Sequence, residues 1–268
     1  MKTGFLLICA CLIGMAALMA TNGTAQIDLS GALGIYLFDE GEGKVAGDSS
    51  GNGSDGELLN DPQWVDGKFG TALQFDGTAS VVELNNPMNV GEFGTAHSIS
   101  IWANLAAVQN PHADMIGNHG KPGGYEIEQR GEEHNKFYFG MKINDAWQGG
   151  PWAERPSTQL LDGVWEHLVV IRDGATVIHY LNGEQTVEYG IDPDVVEDTT
   201  ESNFFIGNSA CCGEGRIITG TLDEAAIFTR ALTEADVAAL AGGLMNATSV
   251  DSASKMTTTW GQLKSQYK

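Results

Sequence analysis

Cysteine is scarce in this chain of 268 residues. Cys9 and Cys11 lie in the apolar N-terminal segment, and the other two cysteines, Cys211 and Cys212, are adjacent. This number excludes a disulfide framework of the kind that stabilises small secreted domains. We expect Cys211 and Cys212 to form a vicinal disulfide or, alternatively, to be reduced or paired with another molecule. No cysteine or histidine lies nearby at zinc-ligand spacing, which argues against zinc.

Basic residues are also few. The chain has 14 Lys and Arg against 35 Asp and Glu, and its formal net charge is −21 at pH 7. Such a charge repels a phosphate backbone, so we expect no nucleic-acid partner. It suits hard cations such as Ca²⁺, although we expect most of these carboxylates to be solvated surface groups.

Only one hydrophobic run is long, and it stands at the N terminus. Residues 4–20 follow a single lysine and precede Gly-Thr-Ala at 23–25, a small-x-small pattern typical of signal-peptide cleavage. We predict a signal peptide at residues 1–25, with an uncleaved anchor as the alternative. The mature protein is then expected to be secreted, periplasmic or displayed at the cell surface, with no transmembrane segment.

Helical periodicity is nearly absent, whereas short β-branched and aromatic segments alternate with clusters of Gly, Asn and Asp. This pattern is typical of an antiparallel β-sandwich. Apolar and polar residues alternate in 97–105 and 136–143, which predicts strands with one buried face. Asn182 and Gly183 predict a two-residue type I′ hairpin turn, because that turn needs positive φ at both positions.

One short helix is predicted after Leu232. Thr233 can cap it, Asp236 occupies the third helical position, and glycines follow at 242–243. Its inward stripe is expected to contain Val237, Leu240 and Ala241. Residues 243–268 turn polar and end in TTTWGQLKSQYK, which indicates a linker and a C-terminal tail.

Four segments in order resemble the laminin-G-like branch of the concanavalin A-type lectin and glucanase superfamily. They are GIYLFDEGEGKVAGDSSGNGSDGEL (34–58), ALQFDGTASVVEL (72–84), VWEHLVVIRDGATVIHYLNGEQ (164–185) and GTLDEAAIFTRALTEADVAAL (220–240). The resemblance implies an all-β jelly-roll sandwich of two antiparallel sheets over residues 26–242, with one short C-terminal helix. It also implies adjacent first and last strands, an FDG hairpin at 72–84, and core packing of Trp102 and Trp165.

The resemblance further implies a structural Ca²⁺ site, because relatives often hold calcium through an aspartate on the last strand. Asp223 matches that position, and Asp39, Asp76 and Gly77 are its expected companions. Asp48, Asn52 and Asp55 lie in an EF-hand-like loop that lacks the glutamate at position twelve, so it is not an EF-hand. The alternative is that Asp48, Asn52 and Asp55 make Asx turns and that Asp76 opens a hairpin.

A sugar site is predicted in residues 143–159, where aromatic side chains accompany hydrogen-bonding groups. Its expected members are Trp147, Trp152, Asn144, Gln148 and Arg155. The alternative is that the two tryptophans fold back over the sandwich as lids.

Catalysis is not expected. Glu126 and Glu128 have the spacing of paired carboxylates, but the laminarinase-like pattern E-x-D-x-x-E is not matched: residue 128 is Glu and residue 131 is Gly. We predict both glutamates on a polar strand face opposite Tyr125 and Ile127.

The histidines give no catalytic signal either. His112 and His119 are not expected to bind metal, and His167 and His179 are expected to be satisfied by neighbouring residues in strands.

The sequence therefore predicts a non-catalytic recognition module that binds a glycan or an extracellular protein and is stabilised by calcium. A structural or adhesive surface protein and a divergent glycoside hydrolase are the alternatives.

Overall fold

The computed structural model describes residues 27–84, 94–118, 124–129, 135–143, 146–147, 156–192, 203–209 and 216–245. Within these ranges the chain forms strands and one helix. In chain order the strands are β1 Ala32–Tyr36, β2 Val45–Ala46, β3 Gly56–Leu59, β4 Gln63–Asp66, β5 Thr71–Asp76, β6 Val81–Leu84, β7 Ala96–Leu105, β8 Asp114–Gly117, β9 Gly124–Gln129, β10 Lys136–Ile143, β11 Ala146–Trp147, β12 Thr158–Gln159, β13 Trp165–Asp173, β14 Thr176–Leu181, β15 Glu184–Gly190, β16 Phe205–Ile206 and β17 Thr219–Phe228, and the helix is α1 Glu234–Ala241.

The strands form two antiparallel sheets, as predicted for a jelly-roll sandwich. The first sheet has the order β15-β14-β13-β7-β17-β5-β4, and β1 also pairs with β17. The second sheet has the order β11-β10-β9-β8-β16-β6-β3-β2, and β12 also pairs with β10. The face of each sheet that packs against the other sheet is its inner face, and the opposite face is its outer face.

The first and last strands lie side by side, as the resemblance implies. β1 pairs with the second half of β17, and β5 pairs with the first half. Between these two partners β17 is irregular from Asp223 to Ala226, and Glu224 has a φ of 45°. The chain therefore leaves a break in the ladder where Asp223 and Glu224 lie.

The turn at Asp76 and Gly77 corrects one expectation. β5 belongs to the first sheet and β6 to the second, so residues 72–84 cross between sheets and do not form a hairpin. The carboxylate of Asp76 accepts bonds from the backbone amides of Thr78, Ala79 and Ser80, which turns the chain out of the first sheet. By contrast, the hairpin predicted at Asn182 and Gly183 is confirmed, since these residues have φ values of 53° and 86°.

The main hydrophobic core fills the space between the inner faces. Large side chains from both sheets are fully buried there, and each contributes about 1.5–3 kcal/mol by leaving water. They include Phe75, Ile99, Ile101, Leu168 and Ile227 from the first sheet, and Tyr125, Ile127, Phe137, Phe139 and Ile206 from the second.

β7 is buried on both faces, although its alternating pattern predicts one. Ile99 and Ile101 pack between the sheets, while Ser98 and Ser100 on the outer face are also fully buried. The Ser98 hydroxyl donates to the carbonyl of Arg230 and accepts from the amide of Leu232, so the segment leading into α1 covers it. Short-range alternation could not reveal this second layer.

The helix α1 begins after Thr233, as predicted. Thr233 and Asp236 form a reciprocal capping box, and Gly242 ends the helix. Val237 and Leu240 face a second apolar cluster on the outer face of the first sheet. The third inward residue is Ala239, not the predicted Ala241. Among the described residues, no helix has the length and apolar character needed to cross a bilayer.

Of the two tryptophans predicted for the core, Trp102 is buried and Trp165 is not fully buried. Trp102 is buried on the outer face of the first sheet, between Phe69 and His167. Trp165 is only half-buried because it is the first residue of β13, at the end of the sheet.

Burial lowers the pKa of His167 to about 3, and its Nε2 lies 2.8 Å from the Ser100 hydroxyl. The expectation that neighbours satisfy this histidine holds for Nε2, whereas Nδ1 is buried without a hydrogen-bond partner.

Candidate functional site on the outer face of the second sheet

Two neighbouring strands bring carboxylates together on the outer face of the second sheet. In β9, Tyr125 and Ile127 point into the core, so Glu126 and Glu128 point outward, as predicted. Glu128 is directly opposite Asp114 of β8 in the ladder. Oxygen atoms of Asp114, Glu126 and Glu128 lie within 4.8 Å of one another, and all three residues are fully buried. We call these three residues the carboxylate cluster.

One guanidinium group faces the whole cluster. Arg216 Nη1 lies 3.3 Å from Asp114 Oδ2, 3.5 Å from Glu126 Oε2 and 3.6 Å from Glu128 Oε1. These contacts are longer than the roughly 2.7–2.9 Å of a strong charge-assisted hydrogen bond. The Arg216 guanidinium therefore faces three acidic groups without a tight pair to any of them.

The three acids differ in their affinity for protons. Burial, together with the charge of Glu128, raises the pKa of Asp114 well above its usual value. Burial and the charge of Asp114 do the same to the pKa of Glu126. Burial also disfavours ionisation of Glu128, but hydrogen bonds from Glu126 and Tyr138 outweigh it and hold its pKa below the usual value. Glu128 is consequently the acid that holds its charge most firmly.

Polar side chains around the cluster fix its orientation. The Tyr138 hydroxyl donates to Glu128 Oε2, and His112 Nδ1 lies 2.6 Å from Glu128 Oε1. The Ser209 hydroxyl donates to Asp114 Oδ2 over 2.6 Å. Asp114 Oδ1, by contrast, is buried and has no hydrogen-bond partner.

Trp147 lies beside the cluster, over a strand position without a side chain. A β-carbon at Gly140 would stand 2.9 Å from Trp147 Cζ3 and 3.2 Å from Glu126 Oε1. Glycine therefore leaves the room in which the half-buried indole approaches β10 next to Glu126. Gly117 flanks Glu126 on its other side, where a β-carbon would stand 2.9 Å from Glu126 Cβ.

The outer face of the second sheet continues from Gly117 toward a second aromatic ring. The half-buried Phe205 of β16 pairs with Gly117 on one side and with Glu83 on the other. Gly140 and Phe205 are three strand spacings apart, roughly 14 Å. Trp147 and Phe205 therefore stand near two ends of one transverse row, with Glu126 between them.

Of the predicted sugar-binding residues, the structure describes Trp147 and places it at this cluster. Trp152, Asn144, Gln148 and Arg155 lie outside the described residues, as do Cys211, Cys212 and His119. Sequence reasoning noted Glu126 and Glu128 but missed their partners, because these come from other strands and loops. The missed residues are Asp114, Tyr138, Ser209 and Arg216.

The predicted calcium ligands do not all meet. Asp223 is buried at the break in β17, and its Oδ2 accepts bonds from the amides of Lys68 and Phe69. Its Oδ1 and Glu224 Oε1 are buried without a hydrogen-bond partner. Burial raises the pKa values of Asp223 and Glu224 to about 7, and the charge of nearby Asp39 adds to both shifts.

Asp76 and Gly77 lie away from this break. Asp76 pairs with Thr219, four positions before Asp223 in β17, which corresponds to roughly 13 Å along a strand. The Asp76 carboxylate is fully used by its own turn, and these bonds lower its pKa despite partial burial. Asp48 makes a similar turn that accepts from the amides of Ile35, Ser50 and Ser54. The Asx-turn alternative therefore describes Asp48, whereas Asp76 makes a turn of this kind without opening the expected hairpin.

A family comparison agrees with this architecture. The model of a laminin-G-type family, described as the concanavalin A-like lectin/glucanases superfamily, matches residues 76–238, more than half of the chain. The chain belongs to this superfamily. No curated protein sequence matches it.

Solved structures with a similar fold include binding domains and enzymes. Domain 4 of AbnA, a GH43 extracellular arabinanase from Geobacillus stearothermophilus, in complex with arabinotriose, is 20% identical with a TM-score of 0.59, covering 78% of this chain and 98% of that one. The binding domain of botulinum neurotoxin DC, in complex with rat synaptotagmin II, is 14% identical with a TM-score of 0.58, covering 81% and 52%. A Trypanosoma rangeli sialidase mutant displaying trans-sialidase activity is 14% identical with a TM-score of 0.58, covering 84% and 35%. At these identities the likeness establishes the fold alone.

Proposed function

We propose that this protein is an extracellular, non-catalytic carbohydrate-recognition module whose ligand lies on the outer face of the second sheet. The observation that carries the proposal is the placement of the half-buried Trp147 ring on Gly140 beside Glu126. A flat aromatic ring contacts the apolar face of a sugar. The predicted signal peptide and the arabinotriose-bound domain of similar fold are consistent with this role.

Calcium at Asp223 is the second part of the proposed function. Asp223 Oδ1 and Glu224 Oε1 are buried carboxylate oxygens without a hydrogen-bond partner, which fits the oxygen ligands that Ca²⁺ takes. Such an ion would join β17 to the 67–70 turn, which Asp223 already contacts through two amides. Its role is stability, because binding to the folded chain alone shifts the unfolding equilibrium.

Non-catalytic status is supported by the separation of the two glutamates. Glu126 and Glu128 share a hydrogen bond, whereas the carboxyl groups of retaining glycosidases stand about 5–5.5 Å apart and those of inverting enzymes about 6.5–9.5 Å apart. A glycosidic bond would have no place between two side chains in contact.

The direct test is a glycan-array screen of residues 26–268 in calcium and in chelator, followed by calorimetry with the glycans that bind. We expect Trp147→Ala to weaken binding at least tenfold, because it removes the aromatic platform. Trp165→Ala is the matched control, since this half-buried tryptophan lies on the other sheet. Silence of the array in both conditions would overturn the proposal and favour a protein partner or an adhesive role.

Glycoside hydrolysis is the second candidate, and one observation favours it. The pKa of Glu126 is raised while that of Glu128 is lowered, which is the division expected of an acid and a nucleophile. We expect no reducing ends to be released from any bound glycan during prolonged incubation, because the side chains of Glu126 and Glu128 are in contact and leave no room for a glycosidic bond between them. Release that Glu128→Gln removes and Trp165→Ala preserves would show an enzyme.

A further inference from the structure

We propose that Asp114, Glu126 and Glu128 bind a hard divalent cation, such as Ca²⁺ or Mn²⁺, at a second site separate from Asp223. The three residues offer oxygens within 4.8 Å of one another. Twice a Ca–O distance of about 2.3–2.6 Å spans this separation, so one ion can contact all three. The inference does not depend on the proposed glycan binding.

An unpartnered oxygen points to the missing ligand. Asp114 is fully buried, and its Oδ2 is occupied by the Ser209 hydroxyl and by Arg216. Its Oδ1 has no hydrogen-bond partner. A buried acceptor without a partner is destabilising, and coordination of a cation removes that cost.

The charge count fits one divalent ion. Among the described residues, three carboxylates and the Arg216 guanidinium lie together in this buried region, and this excess of acidic groups favours a divalent cation. His112 is a further titratable group facing Glu128, and its side chain is 40% exposed.

The surroundings hold the ligand oxygens in place. Tyr138 and His112 orient the two oxygens of Glu128, and Ser209 orients Asp114. Partners of this kind fix metal ligands and strengthen binding. Arg216 occupies the side of the cluster through contacts of 3.3 to 3.6 Å, and an ion displaces its guanidinium outward. Arg216→Gln is therefore expected to tighten ion binding.

The experiment is a titration of the Asp223→Asn chain with Tb³⁺ and with Mn²⁺, since this variant lacks the other candidate calcium site. Tryptophan excitation should sensitise Tb³⁺ luminescence through the Trp147 ring beside Glu126. We expect Glu126→Gln in this background to weaken Tb³⁺ and Mn²⁺ binding at least tenfold. Trp147→Phe should lower the sensitised luminescence while Mn²⁺ affinity, measured by electron paramagnetic resonance, stays unchanged.

Glu83→Gln is the matched control, because Glu83 lies in the same transverse row and bonds Asn203 but is outside the cluster. Its affinity for both ions should equal that of the Asp223→Asn parent. Absence of binding in the parent, or equal affinity after Glu126→Gln, would overturn the proposal. If Glu126→Gln does not fold, Arg216→Gln decides the question, since weaker or unchanged Mn²⁺ binding in that folded variant contradicts the displacement of Arg216.

Discussion

Replacing Arg216 by methionine is expected to destabilise the fold by about 3 kcal/mol at pH 8, because the carboxylate cluster loses a guanidinium group that faces all three acids. The loss should be much smaller at pH 5. The pKa values of Asp114 and Glu126 are raised in the folded chain, so the folded state binds more protons than the unfolded state as the pH rises above their ordinary values. The free energy of unfolding therefore falls with rising pH, and removal of Arg216 steepens this fall.

Urea unfolding at pH 5 and pH 8 measures this difference. Arg230→Met is the matched control: its bridge to Asp236 is partly exposed, and we expect a loss of about 1 kcal/mol or less at both pH values. An equal loss for Arg216→Met at both pH values would mean that the side chain stabilises the fold by packing and not by charge. Millimolar Ca²⁺ or Mn²⁺ should restore part of the stability of Arg216→Met if the cluster binds a cation.

The second large effect is expected from Asp223→Asn in the Glu126→Gln background, where only the Asp223 site remains to bind calcium. Calcium at about one hundred times its Kd adds about 2.7 kcal/mol to stability, which raises the Tm of a domain of this size by roughly 5 to 10 °C. Asp223→Asn should abolish this rise, because it removes the charge while keeping an oxygen for the amides of Lys68 and Phe69. Differential scanning calorimetry with calcium and with chelator measures it.

Asp76→Asn serves as the control for this site. Its carboxylate is engaged in its own turn, so we expect a lower Tm with an undiminished response to calcium. A response lost in Asp76→Asn and kept in Asp223→Asn would place the ion elsewhere.

The pH dependence of the free energy of unfolding, measured in chelator, is an independent test of the Asp223 site. The pKa values of Asp223 and Glu224 are raised to about 7, so without calcium the folded chain holds protons that the unfolded chain has released. Stability should therefore fall from about pH 4.5 to 7 and level off above that, and the slope should shrink with calcium bound.

The sequence by itself determined the features that depend on neighbours along the chain. The turn at Asn182 and Gly183 needs only two residues that tolerate positive φ, and the helix after Thr233 needs only a capping pair and following glycines. The outward direction of Glu126 and Glu128 follows from the two-residue period of a strand. The four family-like segments were sufficient to indicate the sandwich as a whole.

Only the tertiary structure decided which side chains meet. The residues of the carboxylate cluster come from separate strands, and Arg216, which faces them, lies far along the chain. No short segment of the sequence determines the register between strands. The same reason explains why Gly140 accommodates Trp147, and why Asp76 leads into the opposite sheet and away from Asp223. Burial of both faces of β7 likewise depends on chain more than one hundred residues away, because a strand's own alternation reports only the face that its nearest layer covers.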